Sequence, residues 1–259
     1  LAANVNLVGS VNLWTHSVAG SNNPADSPYY QNFVYNYGDQ YVTYNLLGPA
    51  PAGFAGNIGS GQGFFVKVLE TANATSNVNF TNSMRYDGPL GAEIAYDNSE
   101  FFRSTEQETA ALEGEKQLIW LSLVNESNTS SIALIGYAQG ATNGIDRLYD
   151  ASTNGESMSI YSTLEGAKMI IQGRALPFQE SDMVPLGIDI PSNGIYKIGI
   201  DTVQGSLFVD QEQSVYLEDT FLNVIHDLKA SPYGFTATAG SITDRFVLRY
   251  TSETLSVND

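Results

Sequence analysis

Short runs rich in β-branched and aromatic residues alternate with Gly, Asn, Ser and Asp clusters along this chain, with no helical stretch between them. Such runs favour pleated, half-buried strands, and the clusters between them favour turns. In the first part the runs are 10–17, 29–37, 40–47, 63–69, 77–82 and 93–103. In the second part they are 117–125, 131–138, 158–164, 168–173, 184–190, 194–203, 206–209, 213–219, 234–239 and 245–251. Alternation is explicit in places. Tyr196, Ile198 and Ile200 share one face, with Ile195, Lys197 and Gly199 on the other; Phe246, Leu248 and Tyr250 oppose Val247 and Arg249. Many strands at this spacing point to antiparallel packing rather than to a parallel sheet with crossover helices.

One segment departs from the pattern. Residues 104–116 (STEQETAALEGEK) are acidic, polar and free of aromatics. Ser104 and Thr105 can cap a short helix with Gln107 or Glu108 in the capping-box place, but a solvated linker fits better. The expected fold is therefore all-β: two antiparallel β-sandwich domains of jelly-roll or immunoglobulin-like type in tandem. The first spans 1–103, the linker 104–116 and the second 117–252, with 253–259 leading onward. Gly/Asn/Pro-rich loops at 19–28 and 48–61 belong to the first.

Charge narrows the function classes. Eleven Lys and Arg stand against 28 Asp and Glu, a net −17. That field repels phosphate backbones and anionic lipid, so nucleic acid is not an expected partner. No run of eighteen apolar residues is present, and membrane insertion is not expected either. With no cysteine, a thiol nucleophile, a disulfide scaffold and a Cys-ligated zinc are excluded. The chain begins at Leu1 without Met or signal peptide and reads as a fragment of something longer.

Few motifs carry chemistry. Gly59, Gly61 and Gly63 space like a phosphate loop, but a strand follows where a helix N-terminus is required, so a tight turn is expected. His16 and His226 fall in different parts and are expected to make structural hydrogen bonds. Neither a G-x-S-x-G elbow nor a Ser/His/Asp set can be nominated. Oxygen donors cluster in the loop 143–156, where Asp146, Asp150 and Glu156 form a candidate calcium site without EF-hand spacing. No cofactor is required; calcium is the one candidate. Trp14, Tyr29, Tyr30, Tyr35, Tyr37, Tyr41 and Tyr44 make the first part aromatic-dense. Core and cross-strand pairing is the expected use, and stacking on sugar rings the alternative.

Several strings together resemble one family. They include Ile119-Trp120-Leu121-Ser122-Leu123, Gly140-Ala141-Thr142-Asn143-Gly144-Ile145-Asp146, Ile171-Gln172-Gly173-Arg174-Ala175-Leu176-Pro177-Phe178, Tyr216-Leu217-Glu218-Asp219, Ser231-Pro232-Tyr233 and Asp244-Arg245-Phe246-Val247-Leu248-Arg249-Tyr250. The first part adds Leu13-Trp14-Thr15-His16, Gly59-Ser60-Gly61-Gln62-Gly63-Phe64-Phe65-Val66 and Phe101-Phe102-Arg103. These look like the region before the sorting domain in large secreted proteins of Bacteroidota, exported by the type IX secretion system. The closing stretch 252–259 resembles the entry into a type C sorting domain.

The resemblance implies an extracellular, cell-surface location, reached across the outer membrane. It also implies that the translocon and outer-membrane shuttle protein are engaged through a sorting domain that this chain lacks. A missing stretch before Leu1 would leave the first sandwich one strand short, with an open edge beside 10–17 or a neighbouring strand; the alternative is an edge that the loops 19–28 or 48–61 cover. Asp201-Thr202-Val203 resembles the short acceptor for periplasmic O-glycosylation, with Thr202 as the modified residue. The implied function is non-enzymatic: stalk or presentation modules of an adhesin-like protein serving adhesion or gliding. The alternative is a carbohydrate-binding module of a secreted polysaccharide-degrading enzyme, with glycans as partners.

Overall fold

The computed structural model describes residues 1–14, 41–59, 61–73, 77–80, 115–153 and 155–252. Strand accounts for 51% of these residues and helix for 2%, so the chain is almost entirely β, as its punctuation implies. The expected strands at 29–37 and 93–103, His16, the loop 19–28, most of the linker and residues 253–259 lie outside the described residues.

The first part forms a four-stranded antiparallel sheet of β1 (Leu7–Trp14), β2 (Tyr41–Tyr44), β3 (Pro49–Ala50) and β4 (Phe65–Val68), in the order β3-β2-β1-β4. Strand β1 is not an edge, since it pairs with β2 on one side and β4 on the other; among the described residues the edges of this sheet are the neighbouring strands β3 and β4. The described part of the run 77–82, residues 77–80, is not strand. Asn4 replaces a ladder there. Its Nδ2 donates to the Asn79 carbonyl at 3.1 Å and its Oδ1 accepts from the Asn79 N–H at 2.7 Å, satisfying both backbone groups from one side chain.

The second part is one continuous eleven-stranded sheet that curls into a nearly closed, barrel-like wall. Its strands are β5 (Gln117–Asn125), β6 (Ser130–Ala138), β7 (Ala151–Ser152), β8 (Ser159–Leu164), β9 (Ala167–Ala175), β10 (Met183–Ile190), β11 (Gly194–Gln204), β12 (Tyr216–Asp219), β13 (Val224–Asp227), β14 (Tyr233–Ala237) and β15 (Gly240–Arg249). The order is β13-β12-β15-β10-β8-β9-β6-β5-β11-β14, with β7 on β9. All pairs are antiparallel except β6 with β9. Strand β9 turns the corner. Residues Ala167 to Met169 pair with β8, whereas Ile171 to Ala175 pair with β6, and a register shift against β7 falls between. A bulge of this kind bends a strand and lets it pass from one sheet layer to another.

The curled sheet encloses one core. Ile119, Leu121 and Leu123 of β5 meet Leu186 and Ile188 of β10, Ile198 of β11 and Leu248 of β15, all buried. At the far side, where β13 and β14 are not paired to each other, side chains close the wall. Phe235 lies 4.8 Å from Phe246 and Tyr233 lies 5.3 Å from His226, centroid to centroid.

A second core joins the two parts. On the outer face of β5, β6 and β9, Leu118, Trp120, Leu134 and Ile171 pack with Leu47 and Ala50 from the first part and with Tyr149. Trp120 Nε1 donates to the Pro49 carbonyl at 2.7 Å and Lys116 Nζ to the Leu46 carbonyl at 2.6 Å. The Leu46 N–H meets the Leu148 carbonyl at 3.0 Å, and Arg147 Nη1 donates to the Leu7 carbonyl at 3.1 Å. Gly9 is essential to this approach, because a Cβ there would sit 1.9 Å from the Arg147 carbonyl oxygen. The division at 104–116 falls on residues of which only Glu115 and Lys116 are described, but contacts across it are extensive.

Two local expectations are corrected. Residues 206–209 form a single helical turn, α1 (Ser206–Val209), not a strand. Gly205, at φ 97°, turns the chain. Glu115 then accepts from the Ser206 N–H and hydroxyl at 2.6 Å each, and Gln117 Oε1 accepts from the Leu207 N–H at 2.8 Å. Helix-start N–H groups have no partner within the helix; here side chains at the start of β5 supply them, and Phe208 is driven into the core. Strand β13 was not expected. It is short, half-exposed and formed only by pairing with β12.

Candidate functional site

The loop 143–156 does not assemble its carboxylates. Asp150 is buried, and its two oxygens accept from the Asp146 N–H at 2.5 Å and the Gly173 N–H at 2.8 Å. Asp146 Oδ2 accepts from the Thr142 N–H. These carboxylates are spent on shaping the loop that carries Arg147 and Leu148 to the first sheet. Among the described residues no group of three His, Cys, Asp or Glu side chains could hold a metal ion. Asp146, Asp150 and Glu156 form no such group, and Asp146 and Asp150 are engaged by backbone donors.

Asp150 makes stability depend on pH. Burial pushes its pKa up to about 6, against the lowering effect of the two N–H donors. The folded state then takes up a proton more readily than the unfolded chain, and stability rises as pH falls from above 6 towards 4. Asp189 and Asp219 act in the opposite sense. Burial raises each, but hydrogen bonds from Lys168 and Arg245 outweigh it and hold both below the usual range, so stability is lost as pH falls below 4. Urea midpoints at pH 7.5, 5 and 3 are expected to peak at pH 5. The gain over pH 7.5 is expected to be about 1–1.5 kcal/mol, and Asp150→Asn should flatten that rise.

Thr202 is exposed on β11 beside a register shift between Ile200 and Thr202. The structure leaves its hydroxyl accessible. Gly59, Gly61 and Gly63 mark a tight turn: Gln62 N–H meets the Gly59 carbonyl and Gln62 Oε1 accepts from the Gly59 N–H, both at 3.1 Å. His226 is half-buried, with Nε2 2.7 Å from the Ser231 carbonyl, which fits the structural role expected of it.

A cluster missed in the sequence has the look of a catalytic set. Lys168 Nζ lies 3.2 Å from Ser241 Oγ, and Tyr161 Oη lies 3.1 Å from the same hydroxyl. A Ser–Lys pair works only if the lysine can accept a proton. Lys168 cannot do so readily. It donates to both Asp189 oxygens at 2.8 and 2.7 Å, and although burial works against its charge, these bonds raise its pKa. The cluster is an ion-pair clasp between β9, β10 and β15.

A concavity lies at one end of the curled sheet. It is a shallow cleft of about 540 Å³ lined by Gln139, Leu176, Pro177, Phe178, Leu207 and Gln211, with Gln117 and Ser206. None of these side chains is charged. Its floor is aromatic: Phe178 meets Tyr137 and Tyr250 edge-on, each at 4.9 Å between centroids. Below, Tyr137 Oη donates to Asp182 Oδ2 at 2.7 Å, and Arg174 grips the same carboxylate with Nε and Nη2. Desolvation raises the pKa of both tyrosines, so they stay neutral and serve as fixed struts. Such a cleft can bind an uncharged or apolar group.

Beside the middle of β15 stands the turn between β12 and β13. Asp219 Oδ1 accepts from the Phe221 and Leu222 N–H groups at 3.1 and 3.2 Å, and Asn223 takes φ 54°. The turn is rigid, yet it presents Phe221 at 77% and Leu222 at 54% exposure. The string Asp219-Thr220-Phe221-Leu222-Asn223, two large apolar residues between turn formers, was the available sequence signal.

No curated protein and no solved structure matches the chain. A family model does match, over residues 1–250, and its description is "Domain of unknown function (DUF8693)". The chain therefore belongs to the DUF8693 family.

Proposed function

We propose that this chain is a non-enzymatic presentation segment of a secreted cell-surface protein, carried outward by type IX secretion and serving adhesion or gliding. In this reading, residues 1–103 and 117–252 are two sandwich-type β modules. The seam of Leu47, Ala50, Trp120 and Leu134 joins them into one stiff unit. That seam is the observation that carries the reading, because a segment that transmits load must not hinge between its parts. The secretion route rests on the resemblance of the strings above. Thr202 is its proposed glycan acceptor, and a hexose-bearing Thr202 peptide in native protein would support that.

Intact cells making the parent protein provide the test. Protease added outside should remove this segment, whereas protection in intact cells with digestion after lysis would overturn the location. Purified chain should melt in one transition, with calorimetric and van't Hoff enthalpies equal.

The second reading, a glycan-binding module, is favoured by one observation. Trp14 and Tyr41 are register partners, Tyr41 meets Phe65 edge-on at 5.9 Å, and Trp14 and Phe65 are 42% and 59% exposed. A glycan array probed with and without chelator separates the two: reproducible binding lost in Trp14→Ala would favour the glycan module.

A further inference from the structure

The turn between β12 and β13 and the adjoining stretch of β15 enclose a small pocket of about 300 Å³, lined by Thr220, Phe221, Ile242, Asp244 and Arg245. Two irregular pieces of backbone meet there. Phe246 of β15 stands opposite Leu186 and Ile242 opposite Ile188, so Thr243, Asp244 and Arg245 bulge against Gly187 alone. A bulge re-aims the side chains it carries. Thr220 braces this one. Its N–H meets the Arg245 carbonyl at 2.9 Å, and its hydroxyl donates towards the Asp244 and Arg245 carbonyls at 3.1 Å. Buried Asp219 fixes the turn itself by accepting from the Phe221 and Leu222 N–H groups.

The pocket holds a donor, an acceptor and an apolar wall. Arg245 donates to Asp219 through Nε and Nη2, and none of its hydrogen bonds among the described residues uses Nη1. The guanidinium is held in place, 4.9 Å from the Phe246 ring and 5.4 Å from the Phe221 ring, yet its side chain stays 13% exposed. Asp244 is exposed, and its carboxylate accepts no hydrogen bond among the described residues. Ile242 is half-buried, and Phe221 is 77% exposed on its braced turn. A phenyl ring held in water at that exposure adds little to the fold and is ready to pack on a ligand.

We propose that this pocket binds one uncharged pyranose residue of a glycan. The C–H face of the sugar packs on Phe221 and Ile242, Arg245 Nη1 donates to one hydroxyl, and the Asp244 carboxylate accepts from a neighbouring one. Charge selects this class of ligand. In a chain of net −17, a free carboxylate in the pocket turns anions away, and the guanidinium beside it turns cations away. A hydroxyl both donates and accepts, so two adjacent hydroxyls satisfy a guanidinium and a carboxylate together. A pocket of about 300 Å³ is at the small end of ligand sites, the size for one sugar ring. The site shares no residue with the surface of Trp14, Tyr41 and Phe65, and it depends neither on that surface nor on the presentation role.

Amide resonances of the full chain are followed during titration with the methyl glycosides of glucose, galactose, mannose and xylose, and with glucuronate and glucosamine as charged probes. Each is taken to about 50 mM, so that a Kd of about 1–10 mM approaches saturation. At least one neutral glycoside should shift Thr220 to Asn223 and Thr243 to Phe246 saturably, and bind at least about tenfold more tightly than either charged probe. Phe221→Ala and Asp244→Ala, both at exposed positions, should each weaken that binding at least about fivefold and leave the amide spectrum of the inner core unchanged. No saturable shift with any neutral glycoside, tighter binding of glucuronate or glucosamine, or unchanged affinity in either variant would overturn the proposal. Shifts at Trp14, Tyr41 and Phe65 alone would overturn it too, and would favour the glycan module of the second reading instead.

Discussion

Replacing Trp120 with alanine is expected to cost about 3–5 kcal/mol. Trp120 is 3% exposed and sits where Leu47 and Ala50 of the first part meet β5. Truncation empties the centre of the seam and leaves the Pro49 carbonyl without its indole donor. Trp120→Phe keeps most of the apolar volume and loses the hydrogen bond, so about 1–2 kcal/mol is expected. Urea denaturation measures both. Hydrogen exchange gives the spatial result: the amides of Asn45 and Leu46, which bond to the Gly48 and Leu148 carbonyls, should lose protection in Trp120→Ala before those inside the curled sheet. A loss below 1 kcal/mol, with those amides still protected, would mean that the seam does not hold the parts together.

Asp219→Ala is expected to be as damaging, at about 3–5 kcal/mol. The carboxylate receives the Arg245 guanidinium at 2.6 Å, the Tyr233 hydroxyl at 2.8 Å and two turn amides. Arg245 in turn lies 4.9–5.4 Å from the rings of Phe246, Phe235 and Phe221. Removing the carboxylate strands a poorly hydrated cation among aromatics. Converting both partners, Asp219→Ala with Arg245→Met, should recover part of the loss, because an apolar pair does not leave a buried charge unmatched. A double-mutant cycle reads the coupling. Strict additivity would show that the two side chains act independently.

The β character of the chain was legible because period-2 alternation states which face is inward wherever only one face is buried. Tyr196 and Ile198 are buried while Ile195 and Lys197 are not, as their alternation implies. The same logic hides a strand covered on both faces. Leu118 to Leu121 read as an unbroken apolar run, and the structure buries Leu118 and Trp120 in the seam and Ile119 and Leu121 in the inner core. Nothing within 117–125 names Leu47 as the covering residue; that depends on Gly136, where a Cβ would come within 2.8 Å of the Leu47 side chain.

Sequence by itself settled the class of structure, the strand positions through most of 117–250 and, with no cysteine, the exclusion of thiol chemistry. These follow from local preference and composition, which need no partner. Tertiary structure decided the rest. Residues 206–209 became a helical turn because Glu115 and Gln117, about ninety residues away in sequence, satisfy its free N–H groups. The acidic loop 143–156 became a bracket because Gly173 and Asp146 present backbone donors to Asp150. Lys168 and Ser241 came together through β10, which pairs with both β8 and β15. A carboxylate is a ligand, a clasp or a cap according to the donor that reaches it, and the donor is supplied by chain distant in sequence.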